Sequence, residues 1–163
     1  MCTQAGVLAQ IDTYFQVSSG RLKLREFSRV KAELIYYQRN EGKGERWSKY
    51  YICPVKRPST LKSLLGLALG TRTVVRKSRR VFFYKGARIH LDSVFRLGHF
   101  IEIEVLVKKS RDQARSVFAE INRLFSVKRD DIIVSSYADL LRKKSKMAPR
   151  LKKGDHHTRR IPA

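Results

Sequence analysis

The chain has 163 residues, 42% of them hydrophobic, with 36 Lys and Arg against 14 Asp and Glu and a formal net charge of +22. Length and apolar content exclude a chain too small or too polar to bury a core, and fit one domain. The charge points to a polyanionic partner, whether nucleic acid, an anionic membrane surface or a phosphate-rich small molecule. Two cysteines exclude a disulfide framework. No basic segment precedes a long apolar run as in a secretory signal, and LLGLALG is too short to cross a bilayer, so an intracellular, cytoplasmic protein without a membrane span is expected.

Ile11–Val17 has strand-forming composition and is followed by an SSG turn. Arg21–Phe27 alternates strictly, with Arg21, Lys23 and Arg25 on one face and Leu22 and Leu24 on the other. Ala32–Arg39 and Trp47–Val55 read as further strands, separated by the loop NEGKGE. RPSTLKSLLGLALG then changes period: Ser59 or Thr60 can cap a helix whose stripe is Leu61, Leu64, Leu65 and Ala68, with Gly70 ending it. TVVRKSRRVFFYKG returns to strand, with Lys77 and Arg79 on one face and Arg76 and Arg80 on the other, and turns at Lys85–Gly86. ARIHLDSV and GHFIEIEV follow as neighbouring strands. Arg111–Phe125 is amphipathic over Ala114, Val117, Phe118, Ile121 and Leu124. A Ser136–Asp139 capping pattern opens a short terminal helix. Residues 142–163 are basic and poor in large apolar groups, which predicts a disordered tail able to meet nucleic acid, after a domain over residues 1–141.

Four strands thus carry charge opposite their aliphatic residues. The solvent faces of an antiparallel sheet would do the same. The signs, however, segregate: the early strands offer cations in rows, and the last two offer Asp92, Glu102 and Glu104. A sheet curled into a barrel with a charged lumen accounts for this. Its basic wall would hold a polyphosphate, and its carboxylates are hard oxygen ligands suited to Mg2+ or Mn2+.

DTYF with GRLKLRE, AELIYYQR, the Lys77-x-Arg79 pair of RKSRR, RIHLD, FIEIE and the closing SYADLL appear in this order between about Gln10 and Leu141. In that order and spacing the chain resembles the CYTH domain family, which includes class IV adenylyl cyclases, thiamine triphosphatases and inorganic tripolyphosphatases. The resemblance implies an α+β fold, mainly antiparallel β, built as a triphosphate-binding barrel with flanking helices. It implies phosphate binding by Lys23, Arg25, Arg39, Lys77, Arg79 and Arg88, and a divalent metal on Asp92, Glu102 and Glu104. The implied reaction is attack on the bound triphosphate by water or by a ribose 3′-hydroxyl. One departure stands out: the family opens with a Glu-x-Glu-x-Lys strand that this sequence lacks. A barrel incomplete at its N-terminus is therefore expected, with impaired activity and an unpaired edge that a homodimer or partner chain could fill. Two alternatives are a polyphosphate-binding module without turnover, and an RNA-binding β-protein that stacks bases on Tyr36, Tyr37, Tyr50, Tyr51, Phe82 and Phe83. The carboxylates discriminate, because an RNA-binding face gains nothing from them.

Overall fold

The computed structural model describes residues 3–39, 48–107 and 110–147. Their elements are β1 (Thr3–Phe15), β2 (Arg21–Glu26), β3 (Ala32–Arg39), β4 (Ser48–Val55), α1 (Pro58–Leu69), β5 (Thr71–Tyr84), β6 (Ala87–Val94), β7 (Gly98–Val105), α2 (Arg111–Leu124), a 3-10 turn at Arg129–Asp131, and α3 (Tyr137–Met147). The strands form one sheet in the order β4-β3-β2-β1-β5-β6-β7, with each neighbouring pair antiparallel.

The strands expected from alternation and β-rich composition all form. β1 differs most, starting at Thr3 rather than Ile11. Its first half, TQAGVLAQ, has weak strand preference of its own, but it pairs with β5 throughout, from Thr3 opposite Phe83 to Phe15 opposite Thr71. The partner strand supplies the conformation that composition does not. Gly6, with φ 127, sits at a register shift in this pairing, where a side chain would be strained. The β5–β6 hairpin turns at Lys85 and Gly86, as expected; both have positive φ, 47 and 79, which suits the right-handed twist of a tight hairpin.

The sheet is curled into a half-barrel. β4 and β7 are its two ends, and six interstrand spacings in a flat sheet would set them about 29 Å apart. Yet the Tyr50 hydroxyl on β4 is pushed up first by its partial burial and then by the Glu104 and Glu102 charges of β7. The ends therefore face one another across the concave side.

Two helices cover the convex side. Leu61 and Leu65 of α1 pack on Phe15, Leu24 and Ala32, while Ile121 and Val117 of α2 pack on Ala87 and Ile89. Only part of each expected stripe is used: Leu64, Phe118 and Leu124 remain exposed. α1 begins at Pro58 with no side-chain cap, because proline already supplies a helical φ and lacks the donor a cap would satisfy. α3 lies on the concave side. Its Tyr137, Ala138 and Leu141 pack on Tyr14, Val75, Val94 and Phe100, plugging one end of the trough. The helix runs to Met147, a turn beyond the expected SYADLLRKK, and the rest of the expected tail lies outside the described residues. Among the described residues no helix is long and apolar enough to cross a membrane.

Candidate functional site

In an antiparallel pair, residues directly opposite one another point to the same face. Asp12 lies opposite Arg25, Leu8 opposite Arg79, Arg79 opposite Asp92, His90 opposite Glu102 and Arg88 opposite Glu104. With period-2 alternation, this puts Lys23, Arg25, Lys77, Arg79, Arg88, Asp92, Glu102 and Glu104 on the concave face. Eight of the nine residues expected to form the site are thus brought together. Arg39 ends β3 at a position in phase with the same face, and its side chain lies outside the described residues.

The trough is organised by two clamps of the same design. In the first, Asp12 on β1 accepts from Arg25 Nε at 2.8 Å, Arg25 Nη2 at 2.9 Å and Lys23 Nζ at 2.8 Å. In the second, Asp92 on β6 accepts from Arg79 Nε at 2.7 Å, Arg79 Nη2 at 2.6 Å and Lys77 Nζ at 3.3 Å. Each time the arginine sits directly across from the aspartate and the lysine lies two residues along the same strand. Both aspartates are buried, as are Lys23, Lys77 and Arg79. Burial opposes ionisation of Asp12, but Lys23 and Arg25 outweigh it and hold the carboxyl far below the usual carboxylate range. The same balance, set by Arg79 and Lys77, lowers Asp92. Burial, then the neighbouring Arg79, pushes Lys77 down to about 8, against the pull of Glu102, Asp12 and Asp92.

The aspartates use the Nε–Nη2 edge of each guanidinium. Among the described residues neither Arg25 nor Arg79 has a partner for Nη1, so each keeps donors for a ligand while its plane is held fixed. Aromatic rings complete the clamps: Lys23 Nζ lies 5.4 Å from the Tyr14 ring and 5.8 Å from the Tyr37 ring, and Lys77 Nζ lies 5.3 Å from the Tyr137 ring.

The carboxylates of β7 differ from the aspartates. Glu102 bonds Arg79 Nη2 and keeps 49% of its side chain exposed; Glu104 lies 3.3 Å from Arg88 and keeps 33%. Desolvation by the trough walls opposes the Glu102 charge, but His90, Arg79 and Lys77 beside it hold its carboxyl low, even with solvent at half its surface. His90 is buried, and among the described residues its Nδ1 has no hydrogen-bond partner, Glu102 lying 3.9 Å away.

This donor set fits a hard divalent cation of the kind that binds through one or two carboxylates and takes its other ligands from water and phosphate. Glu102 and Glu104, on one face of one strand with partly exposed side chains, supply such a pair. Asp92 shares their face but spends both oxygens on Arg79 and Lys77. Among the described residues, no three His, Cys, Asp or Glu side chains converge as a ready metal cage.

Several residues escaped the sequence reading. Asp12 anchors a whole clamp, and its signal was the phase of Gln10, Asp12 and Tyr14 in one strand. Arg21, expected among the cations, bonds Ser136 and Asp139 of the α3 N-terminus, the Asp139 carboxylate at 2.9 Å. Tyr137 arrives over Lys77 from the terminal helix, which no local pattern announces.

The family model described as CYTH domain matches residues 2–137. Among solved structures, the chain superposes on the PH1012 protein of Pyrococcus horikoshii with a TM-score of 0.74 and 22% identity, covering 85% of each chain. It also superposes on the PH1819 protein of the same organism, with a TM-score of 0.68, 24% identity and 88% of each chain covered. A candidate adenylate cyclase from Vibrio parahaemolyticus gives a TM-score of 0.69 at 18% identity, over 87% of this chain and 85% of that one. The comparison with curated proteins found no match.

Proposed function

The chain belongs to the CYTH domain family, and from that premise we propose that its trough binds the triphosphate end of a small molecule together with Mg2+ or Mn2+. The observation that carries this reading is the pair of clamps on one concave face, each presenting an arginine whose plane is fixed by an aspartate and whose Nη1 keeps its donors. Arg25, Arg79, Lys77 and Lys23 would hold phosphate oxygens by charge-assisted bonds, with Arg88 and Arg39 as further cations. Glu102 and Glu104 would hold the cation.

The charge balance supports the metal. Much of the excess positive charge is not in the trough: Asp12, Asp92, Glu102 and Glu104 offset most of the cations around them, whereas Arg76 and Arg80 lie exposed on the convex face. A triphosphate entering the trough therefore meets carboxylates as well as bases. Glu102 and Glu104 would hold a divalent cation, which would relieve that repulsion and supply electrostatic stabilisation for charge developing on the transferred group. The protein's own part is to orient phosphate through fixed guanidinium planes and to keep Glu102 ionised near neutral pH.

Calorimetry with tripolyphosphate tests the reading. Binding is expected without metal and should strengthen with Mg2+ or Mn2+. Glu102→Gln with Glu104→Gln should remove the metal's contribution and leave metal-free binding intact or improved. No heat of binding under either condition overturns the assignment. Phosphate release and cyclic nucleotide formation, measured in parallel with ATP, separate an enzyme from a module that binds without turnover.

A further inference from the structure

Beside the clamps, on the same face, is an aromatic pair whose outer member, Tyr50, the phosphate site leaves unused. Tyr37 on β3 and Tyr50 on β4 lie opposite each other in the register, with ring centroids 5.2 Å apart and planes 28° apart. Tyr37 is buried, but Tyr50 is 49% exposed and belongs to the edge strand, so its outer ring face has no strand beyond it among the described residues. Lys23 Nζ lies 5.8 Å from the Tyr37 ring, so the stack continues directly from the first clamp. A second pair, Tyr36 and Tyr51, occurs on the same two strands, but alternation puts it on the convex face, away from the clamps.

We propose that Tyr50, backed by Tyr37, is a stacking shelf for the planar ring of a nucleobase, so that the trough holds a nucleoside triphosphate by both ends. The inference rests on the triphosphate reading above and adds what recognises the other end of the ligand. A tyrosine already stacked on a buried neighbour presents a flat π face at little ordering cost, and every nucleobase has a matching face. The geometry favours a single nucleotide over a strand of nucleic acid. Arg21, directly opposite Tyr37, bonds Ser136 and Asp139 of α3, so the shelf lies toward the plugged end of the trough. A polymer would have to pass through that plug, whereas one base can end there.

The test uses the full chain and two probes, ATP and inorganic tripolyphosphate, each with Mg2+. Tyr50→Ala should weaken ATP binding about five- to 100-fold, the range of one lost base–aromatic stack, and leave tripolyphosphate binding unchanged. Tyr50→Phe should restore ATP binding to within about twofold, since stacking needs the ring and not the hydroxyl. Tyr50 is at an exposed edge, so both variants should fold, with circular dichroism as the check. If tripolyphosphate binds the wild-type chain and Tyr50→Ala leaves ATP binding untouched, the shelf is overturned and the triphosphate reading stands. Equal weakening of both probes would also overturn it, marking Tyr50 as a wall of the phosphate site. If neither probe binds the wild-type chain, the triphosphate reading fails and the shelf fails with it.

Discussion

The two clamps are near copies: a Lys-x-Arg pair on one strand, an aspartate on the next, and a tyrosine over the lysine. They differ in what lies beyond the aspartate. The Asp12 clamp closes on itself, with three bonds of 2.8–2.9 Å and rings on two sides of Lys23. The Asp92 clamp is longer at its lysine, 3.3 Å, and its arginine reaches on to Glu102. The same motif thus serves once as a closed anchor and once as a link between buried charge and the exposed carboxylates. A salt bridge locked on all sides fixes geometry; one that shares its arginine can pass the occupancy of one group on to another.

Removing each aspartate should separate the two most strongly. Asp12→Ala leaves Lys23 and Arg25 without their buried counter-ion and should cost about 3–5 kcal/mol in unfolding experiments with guanidinium. Asp92→Ala should cost about 1.5–3 kcal/mol less, because Arg79 keeps Glu102, the margin being one charged hydrogen bond. Equal losses would show that the link to Glu102 carries no energy.

The arginines sharpen the contrast in binding. Arg25→Ala and Arg79→Ala should each weaken tripolyphosphate binding by about 1.5–3 kcal/mol, the scale of a charged hydrogen bond. Of these two, only Arg79→Ala should also change the gain from Mg2+, since Arg79, unlike Arg25, bonds a proposed metal ligand. Calorimetry with and without Mg2+ for both variants decides this.

Lys77 gives the Asp92 clamp a pH response. Its folded pKa is about 8, against 10.5 for the ordinary lysine. Between those values the unfolded chain holds a proton that the folded chain has released, so stability from this group rises with pH across that window, by up to about 3 kcal/mol. Anion binding runs the other way. As pH rises past about 8 the trough loses a cation, so tripolyphosphate affinity should fall, and binding there should take up a proton. Lys77→Arg, charged throughout, should flatten both curves; unfolding midpoints and calorimetry in buffers of different ionisation enthalpy would read them. The smallest effect is expected at the rim, where Arg88→Ala breaks a pair that is about one-third exposed on each side and should cost under about 1 kcal/mol of stability.

The charged face of the trough was legible because strand alternation leaves no choice once a strand is recognised: Lys23 with Arg25, Lys77 with Arg79 and Glu102 with Glu104 had to share sides. Asp12 was not, because a lone acid in IDTYFQV looks like any solvated strand residue until β2 is laid against it. The pairing of carboxylates with cations was also hidden, since it depends on register rather than composition. The early start of β1 and the placing of Tyr137 over Lys77 are both tertiary effects, imposed by β5 in one case and by a helix docking on the concave side in the other.

The sheet order also bears on how the chain reaches this state. Within each of the runs β1 to β4 and β5 to β7, every strand pairs with its neighbour in sequence, and only β1 with β5 joins the runs. The aspartate, arginine and lysine of each clamp lie inside one hairpin, Asp12 of β1 with β2 and Asp92 of β6 with β5. Short loops close early and long ones late, so each clamp is expected to assemble within its own meander before the two halves meet. The β1–β5 seam, closing last, would then be the step that turns two separate salt-bridged hairpins into one trough. Pulsed amide exchange during refolding should show protection across β1–β5 lagging behind that of both hairpins.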